Sequence, residues 1–237
     1  MRGVARERRA MRTHSPRASC GTGRVLPLSF YSQPTIEMAR ALLGKLLAHE
    51  TAEGCVSGYI VETEAYLQGD PASHAVLRVG GRWVAKMTER NRRMFGPPGH
   101  AYVYFIYGNH HCLNVVTREE GVAEAVLIRA VEPAQGVELM RQRRGIGHPG
   151  AAKELRQQIV ATRADRNLTN GPGKLTEAFA IDMTHNGADL TAGPLRIEIG
   201  RQIPASSILA RSRVGIKVAD QHPWRFVVAD SPWLSRP

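Results

Sequence analysis

Two short stretches hold the residues best placed to do chemistry. Val61-Glu62-Thr63-Glu64-Ala65-Tyr66 sets two carboxylates among strand-forming neighbours, and Tyr102-Val103-Tyr104-Phe105-Ile106-Tyr107-Gly108 gathers three tyrosines in a chain that is only 6% aromatic. Ionised acids are expensive to place on a buried strand, and aromatic rings stack on flat ligands. Acids that a core would avoid, beside rings of this kind, point to a site for a planar substrate. The plainer alternative is a strand rich in good β-formers that builds core.

Strand alternation sets how these side chains face. Over 57–66 it places Tyr59, Val61 and Thr63 on one face and Ile60, Glu62 and Glu64 on the other, so both acids point the same way. In the second stretch Tyr102, Tyr104 and Ile106 share a face opposite Val103, Phe105 and Tyr107. Tyr107 also stands at the strand's end against Gly108 and Asn109, where a turn exposes it.

The surrounding elements follow from the same patterns. Ser32-Gln33-Pro34 opens a helix that Gly44 closes, with Ile36, Ala39, Leu42 and Leu43 as its apolar face. Strands are expected at 45–50, 57–66, 102–107, 112–117, 124–131, 195–199, 212–217 and 224–229, and helices near 134–144 and 172–180. Strands in runs with helices between and around them predict an α+β single domain on a curved, mostly antiparallel β-sheet. Residues 143–170, without clean periodicity, read as a surface excursion.

With 237 residues and 43% hydrophobic content the chain can bury one sizeable core. No apolar run approaches the roughly 20 residues that span a bilayer, so a soluble protein is expected. Cys20, Cys55 and Cys112 are too few and scattered for a disulfide framework and form no CxxC pair, which fits a reducing cytoplasm. The net charge of +11 points to an acidic partner, nucleic acid first. Residues 1–24 carry seven arginines against the single acid Glu7, a net of +6, without the apolar segment of a secretory signal. Residues 1–25 are therefore read as a disordered basic arm or an over-extended start, with Met11 as an alternative initiator and a transit peptide as the lesser alternative. Residues 26–237 are read as the catalytic domain.

Familiar chemistries drop out. Gly171-Pro172-Gly173-Lys174 is part of a phosphate-loop pattern, but the earlier glycine it needs is Leu168. It reads instead as a loop ahead of a helix whose N-terminus faces a DNA phosphate. Nine histidines form no HExxH or Cys/His metal spacing, and no GxSxG elbow occurs.

Taken together, the ordered motifs resemble the alkyladenine (3-methyladenine) DNA glycosylase family of monofunctional base-excision repair enzymes. The shared pattern runs through Leu42-Leu43-Gly44, Ile60 to Tyr66, His74, Arg90-Asn91-Arg92-Arg93-Met94-Phe95, Pro98-Gly99, Tyr102 to Gly108, Asn114, Leu127 to Pro133, Asn170 to Leu175, Arg213-Val214-Gly215 and Ser231-Pro232-Trp233, covering roughly residues 30–235.

The resemblance implies that Glu64 is the general base for the attacking water, with Arg129 orienting water and carboxylate. Tyr66, His74 and Tyr104 sandwich the flipped base, Asn114 gates the purine 2-amino group, and Tyr107 is the intercalating wedge. Arg90, Arg92, Arg93 and Lys174 fall where the DNA backbone is gripped. It further implies double-stranded DNA containing damaged purines as partner (3-methyladenine, 7-methylguanine, hypoxanthine or ethenoadenine types), an abasic product without strand cleavage, no cofactor, no metal, no membrane, and a monomer. The expected setting is cytoplasmic beside a bacterial nucleoid, or nuclear in a eukaryote.

Plainer roles stay open beside these. Glu64 and Arg129 are also readable as a structural ion pair, His74 as a loop histidine, Tyr102 as core or backbone contact, and the three arginines as a solvated face. A non-catalytic lesion-binding module and a nucleoside hydrolase are the competing functions. Departures from the family pattern fall at the pocket rim: a short segment between Tyr66 and His74, an insertion-like stretch over 78–87, and Asn109-His110-His111.

Overall fold

The computed structural model describes residues 20, 21, 23–146 and 163–236. Its spine is β2 (Gly54–Tyr66), a thirteen-residue strand rich in β-branched and aromatic residues. Along one side β2 pairs with β7 (Ala125–Gln135). Its other side is shared: β1 (Leu46–Thr51) takes the first half, and β10 (Arg225–Val228) takes Glu62 to Glu64. β5 (Ala101–Ile106) and β6 (His110–Val116) extend the sheet beyond β7, β8 (Leu195–Glu198) lies outside β1, and β9 (Ile208–Arg211) pairs β10. All of these pairings are antiparallel. The result is the expected α+β domain on a curved antiparallel sheet.

Helices α1 (Leu28–Tyr31), α2 (Thr35–Ala41), α3 (Val137–Arg143) and α4 (Pro172–Ala178) complete the domain. Pro34 precedes α2, with Glu37 in its first turn and Arg40 in its last, matching the helix dipole. Met38, Ala39 and Leu42 bury against Leu47, Ile60 and Ile128 in the main core. Gly136 enters α3 at φ 74°, where a Cβ would stand 2.1 Å from the Cys55 carbonyl oxygen, so only glycine fits there. No helix among the described residues is long and apolar enough to cross a membrane.

The β2–β7 register breaks at the place that matters. Ile60 pairs Val131, Glu62 pairs Ala130 and Thr63 pairs Ile128, leaving Val61 and Arg129 without partners across the ladder. This irregularity corrects the simple alternation. Ile60, Thr63 and Ala65 face the α2 side, with Thr63 Oγ1 donating to the Ala39 carbonyl at 2.8 Å. Glu62 and Glu64 still share a face, as expected, but without Ile60.

Other expectations need correction. Residues 212–217 form no strand; the pairing falls earlier, in β9, because Arg213 turns inward, the Val214 amide binds Glu64 and Gly215 takes φ 80°. The insertion-like stretch forms a hairpin, β3 (Val76–Val79) and β4 (Arg82–Ala85), turning at Gly80-Gly81 with φ 54° and 82°. Gly-Gly between apolar runs is a hairpin signal that was legible in the sequence.

The cysteine reading is also overturned. Cys20 and Cys55 form a disulfide with Cα atoms 5.5 Å apart, although 35 residues separate them. Sequence spacing carries no sign of this, because the pairing depends on chain returning to the β1–β2 edge. Gly23 N donates to Glu198 Oε2 at 3.0 Å, and Val25 bridges Glu198. The domain therefore begins before residue 26. Residues 1–19 of the basic arm, and 147–162 of the surface excursion, lie outside the described residues.

Reducing this disulfide should cost about 2–4 kcal/mol of stability, from the loop entropy returned to the unfolded chain. Urea melts with and without reductant check this, with Cys20→Ser as the variant that no longer responds. Coincident wild-type melts would refute it.

Candidate active site

One cavity of about 520 Å³ opens where the ends of β2, β5, β6 and β7 converge. Tyr66 and Arg129 line it from β2 and β7, Tyr102 and Tyr104 from β5, and Asn114 from β6. His74 reaches it from the loop after β2, and Val214 to Val218 close another side.

The two carboxylates beneath this cavity differ in one decisive way. Glu62 Oε1 accepts from Arg129 Nε at 3.1 Å, Arg225 Nη1 at 3.2 Å and Ser235 Oγ at 2.8 Å, and its Oε2 accepts from the Ser235 amide at 2.6 Å. Of these four donors only the one from Arg129 belongs to a residue that lines the cavity. Glu64 has three: Val214 N to Oε1 at 2.7 Å, then Tyr66 Oη at 2.9 Å and Arg129 Nη1 at 3.4 Å to Oε2. Among the described residues Oε1 has the Val214 amide as its one donor, which leaves it an acceptor position. Glu64 is 0% exposed, and all three of its partners line the cavity.

Burial raises the Glu64 pKa above the carboxylate norm, opposed by the Arg129 charge and the bonds from Val214 and Tyr66. Such a group is a better proton acceptor than an exposed acid. Burial also pushes the Tyr66 and Tyr104 phenols far up and Tyr102 to about 12, so all three rings are neutral.

Each ring is held in place. The Arg213 guanidinium lies 4.7 Å from the Tyr66 ring centroid and is itself fixed by a buried pair with Asp70 and a 3.1 Å bond to the Ala65 carbonyl. His74 stands edge-on to Tyr104 at 4.2 Å, and its Nδ1 is 3.3 Å from Tyr102 Oη. Desolvation, then the Arg90 charge, lowers the His74 pKa, favouring the neutral ring. Asn114 Nδ2 donates to the Tyr102 carbonyl at 3.0 Å, which fixes its orientation. Tyr102 thus packs in the core and also lends its hydroxyl to the pocket wall.

Tyr107 sits in the three-residue turn between β5 and β6 at φ 56°, 82% exposed. Left-handed backbone at a bulky residue is uncommon and is found where surroundings enforce it, often at functional sites. Because β5 ends at Ile106, strand alternation does not reach Tyr107, and its side chain joins Tyr102 and Tyr104 on the cavity.

The expected backbone cations are spread more widely. Arg90 Nη2 donates to the Phe105 carbonyl at 3.1 Å, beside the Tyr107 turn. Arg92 pairs with Glu89 at 2.9 Å on an exposed turn, and Arg93 lies over Gly187. Lys174 Nζ donates to Asn170 Oδ1 at 2.8 Å, and desolvation, then Arg144, lowers its pKa. Sequence reasoning assigned no role to Asp70, Arg213, Val214 or Ser235. Only Arg213-Val214 had a signal, inside a matched motif.

A family model described as methylpurine-DNA glycosylase (MPG) matches residues 29–232. A protein of Methanoculleus marisnigri is 44% identical over 214 residues, covering 89% of this chain and 98% of its own. One from Prosthecochloris aestuarii is 44% identical over 216 residues, covering 90% and 92%, and one from Chlorobaculum tepidum 42% over 213, covering 89% and 90%. Each of the three is named "Putative 3-methyladenine DNA glycosylase".

Proposed function

The chain belongs to the methylpurine-DNA glycosylase family, and from that membership together with the unequal states of Glu62 and Glu64 we propose how it excises damaged purines from duplex DNA. The observation that carries the reading is that the three donors to Glu64 all come from the cavity wall, whereas three of the four to Glu62 do not. Glu64 Oε1, which accepts from Val214 N alone among the described residues, has an acceptor position for a water on the cavity side.

In this reading the damaged nucleotide is extruded into the 520 Å³ cavity and held against Tyr66, Tyr104 and His74. Water donates a hydrogen bond to Glu64, with Arg129 fixing the carboxylate. As the water oxygen bonds to C1′ of the sugar, the C1′–N bond breaks with its electron pair leaving on the purine. Glu64 takes the water proton, and the sugar keeps a hydroxyl as an abasic site. A purine alkylated at N3 or N7 is cationic and leaves as a neutral base. Stacked tyrosines favour that cation. Neutral lesions such as hypoxanthine or ethenoadenine need tighter placement or protonation. Asn114, beside the ring-binding side chains, is assigned the check on the purine 2-amino group, and Arg90, Arg92, Arg93 and Lys174 the grip on the phosphates.

Incubation with duplexes carrying single lesions, scored for free base and abasic sites, tests the proposal. Lesion binding without base release would favour a non-catalytic module. Lys217 stands exposed on the cavity rim, so borohydride trapping is the complementary check: the hydrolytic reading expects no covalent protein–DNA adduct.

Tyr107→Ala tests the wedge. Loss of its ring should weaken the flipped state by roughly 1–3 kcal/mol, the worth of one base–aromatic stack. The loss should fall on well-paired neutral lesions in duplex and shrink several-fold in single strands, where no gap needs filling. Thermal stability should hold, since the ring is 82% exposed. Equal defects on both substrates would move the wedge elsewhere.

A further inference from the structure

The β3–β4 hairpin stands apart from the main sheet as its own two-stranded ribbon. Residues 77–90 are all exposed, including Leu77, Val79, Trp83, Val84 and Met87. The register sets Leu77 against Val84 and Val79 against Arg82 on one face, and Val76 against Ala85 and Arg78 against Trp83 on the other. Both faces are therefore apolar and basic at once. An isolated hairpin is marginal in water, and a folded chain seldom leaves so many large apolar groups together on its surface without a partner.

Three features identify that partner. Between residues 76 and 88 the only charges are Arg78, Arg82 and Lys86, with no acid among them. The occupant is thus anionic, and it also offers apolar surface. A ribbon of two four-residue strands is about 13 Å long, and a two-stranded β-ribbon is a shape that a groove of B-DNA admits. Finally, the ribbon is rooted in the pocket wall. Lys86 N donates to the Ala75 carbonyl at 2.8 Å, and the buried Asn91 side chain donates to both the His74 carbonyl, at 2.9 Å, and the Lys86 carbonyl, at 3.0 Å. Whatever seats the ribbon bears on the loop that carries His74.

We infer that the β3–β4 ribbon is a second duplex-DNA contact, with Arg78, Arg82 and Lys86 on phosphates and Trp83 against the groove wall, flanking the extruded nucleotide. This rests on duplex DNA being the substrate, as proposed above. Its role is in holding the duplex, not in the reaction at Glu64.

The test measures binding of undamaged duplex and of single-stranded DNA of the same length across a salt series. The triple variant Arg78→Ala, Arg82→Ala, Lys86→Ala should bind duplex about tenfold or more weakly at low salt. Its slope of log affinity against log salt should fall by about 2–3, the share of three lost phosphate contacts. Trp83→Ser should weaken duplex binding with the slope unchanged, and Arg78→Lys with Arg82→Lys should retain it. Single-turnover excision at saturating enzyme and the thermal midpoint should match the parent, because none of these side chains is buried.

Unchanged duplex affinity and slope in the triple variant would overturn the inference and leave the ribbon as a surface for a protein. An equal loss on duplex and single strand would overturn it too, by showing unspecific charge attraction. A parent that excises nothing but shows the ribbon-dependent slope would sink the catalytic reading alone.

Discussion

A Glu64→Gln enzyme should bind a lesion-bearing duplex nearly as tightly as the parent, yet release the base at least about 100-fold more slowly in a single turnover, the scale of a lost general base. Glutamine keeps the shape: its carbonyl oxygen can accept from Val214 N while its NH2 donates to the Tyr66 hydroxyl oxygen, replacing the two bonds that hold Glu64. It cannot take a proton from water. The sign of the pH dependence follows from burial. Glu64 must be ionised to act, and its pKa is raised from 4.5. The parent's rate should therefore fall as pH drops through a value above the ordinary carboxylate range, and the variant should lose that acid limb. A Glu64→Gln rate close to the parent's, with binding intact, would remove Glu64 from the reaction. The matching Glu62→Gln change should cost stability first, since Glu62 is occupied by four structural donors.

The second large effect is on stability. Arg129→Met should destabilise the fold by about 3–5 kcal/mol, because it strands the buried Glu64 and leaves Glu62 with Arg225 alone among the described cations. In a chain of this size that amounts to a fall of roughly 10 °C in Tm. Arg129→Lys should recover little, since a single ammonium cannot reproduce the fork that joins Glu62, Glu64 and Ser235 Oγ. The deficit should also depend on pH. Without the guanidinium the Glu64 pKa rises further, so the folded variant holds its proton to higher pH and loses stability as pH climbs. The gap between variant and parent should be smallest in acid and largest near neutrality, as thermal melts across pH would show. A pH-independent gap would mean that lost packing, not stranded charge, is the cause.

Much of this site is legible in the sequence because its parts lie on strands. The paired orientation of Glu62 and Glu64, the tyrosine cluster and the exposed turn at Tyr107 all follow from local pattern. What was hidden depends on distant chain returning to the site. Val214 and Ser235, which separate the two carboxylates by role, are 150 and 173 residues away from the acids they bind. Asp70 and Arg213 form a buried pair that no spacing suggests. The Cys20–Cys55 bond was missed for the same reason. The 212–217 strand failed because a backbone amide was needed for a carboxylate instead of a ladder.

The mismatch between β2 and β7 sets a rule for anyone transplanting this chemistry. Val61 on one strand and Arg129 on the other are both surplus to the ladder, so the acid and its cation are encoded as a matched pair of register defects. Removing one residue at either defect would shift the downstream half of that strand by one step and turn its side chains to the opposite face. Loss of Val61 would in this way turn Glu64 toward the α2 core, away from its cation. Removing both Val61 and Arg129 would close this pair of defects but delete the cation itself. In descent or in design, the two irregularities must be inherited together, and a scaffold with an ideal sheet cannot host this site however faithfully its side chains are copied.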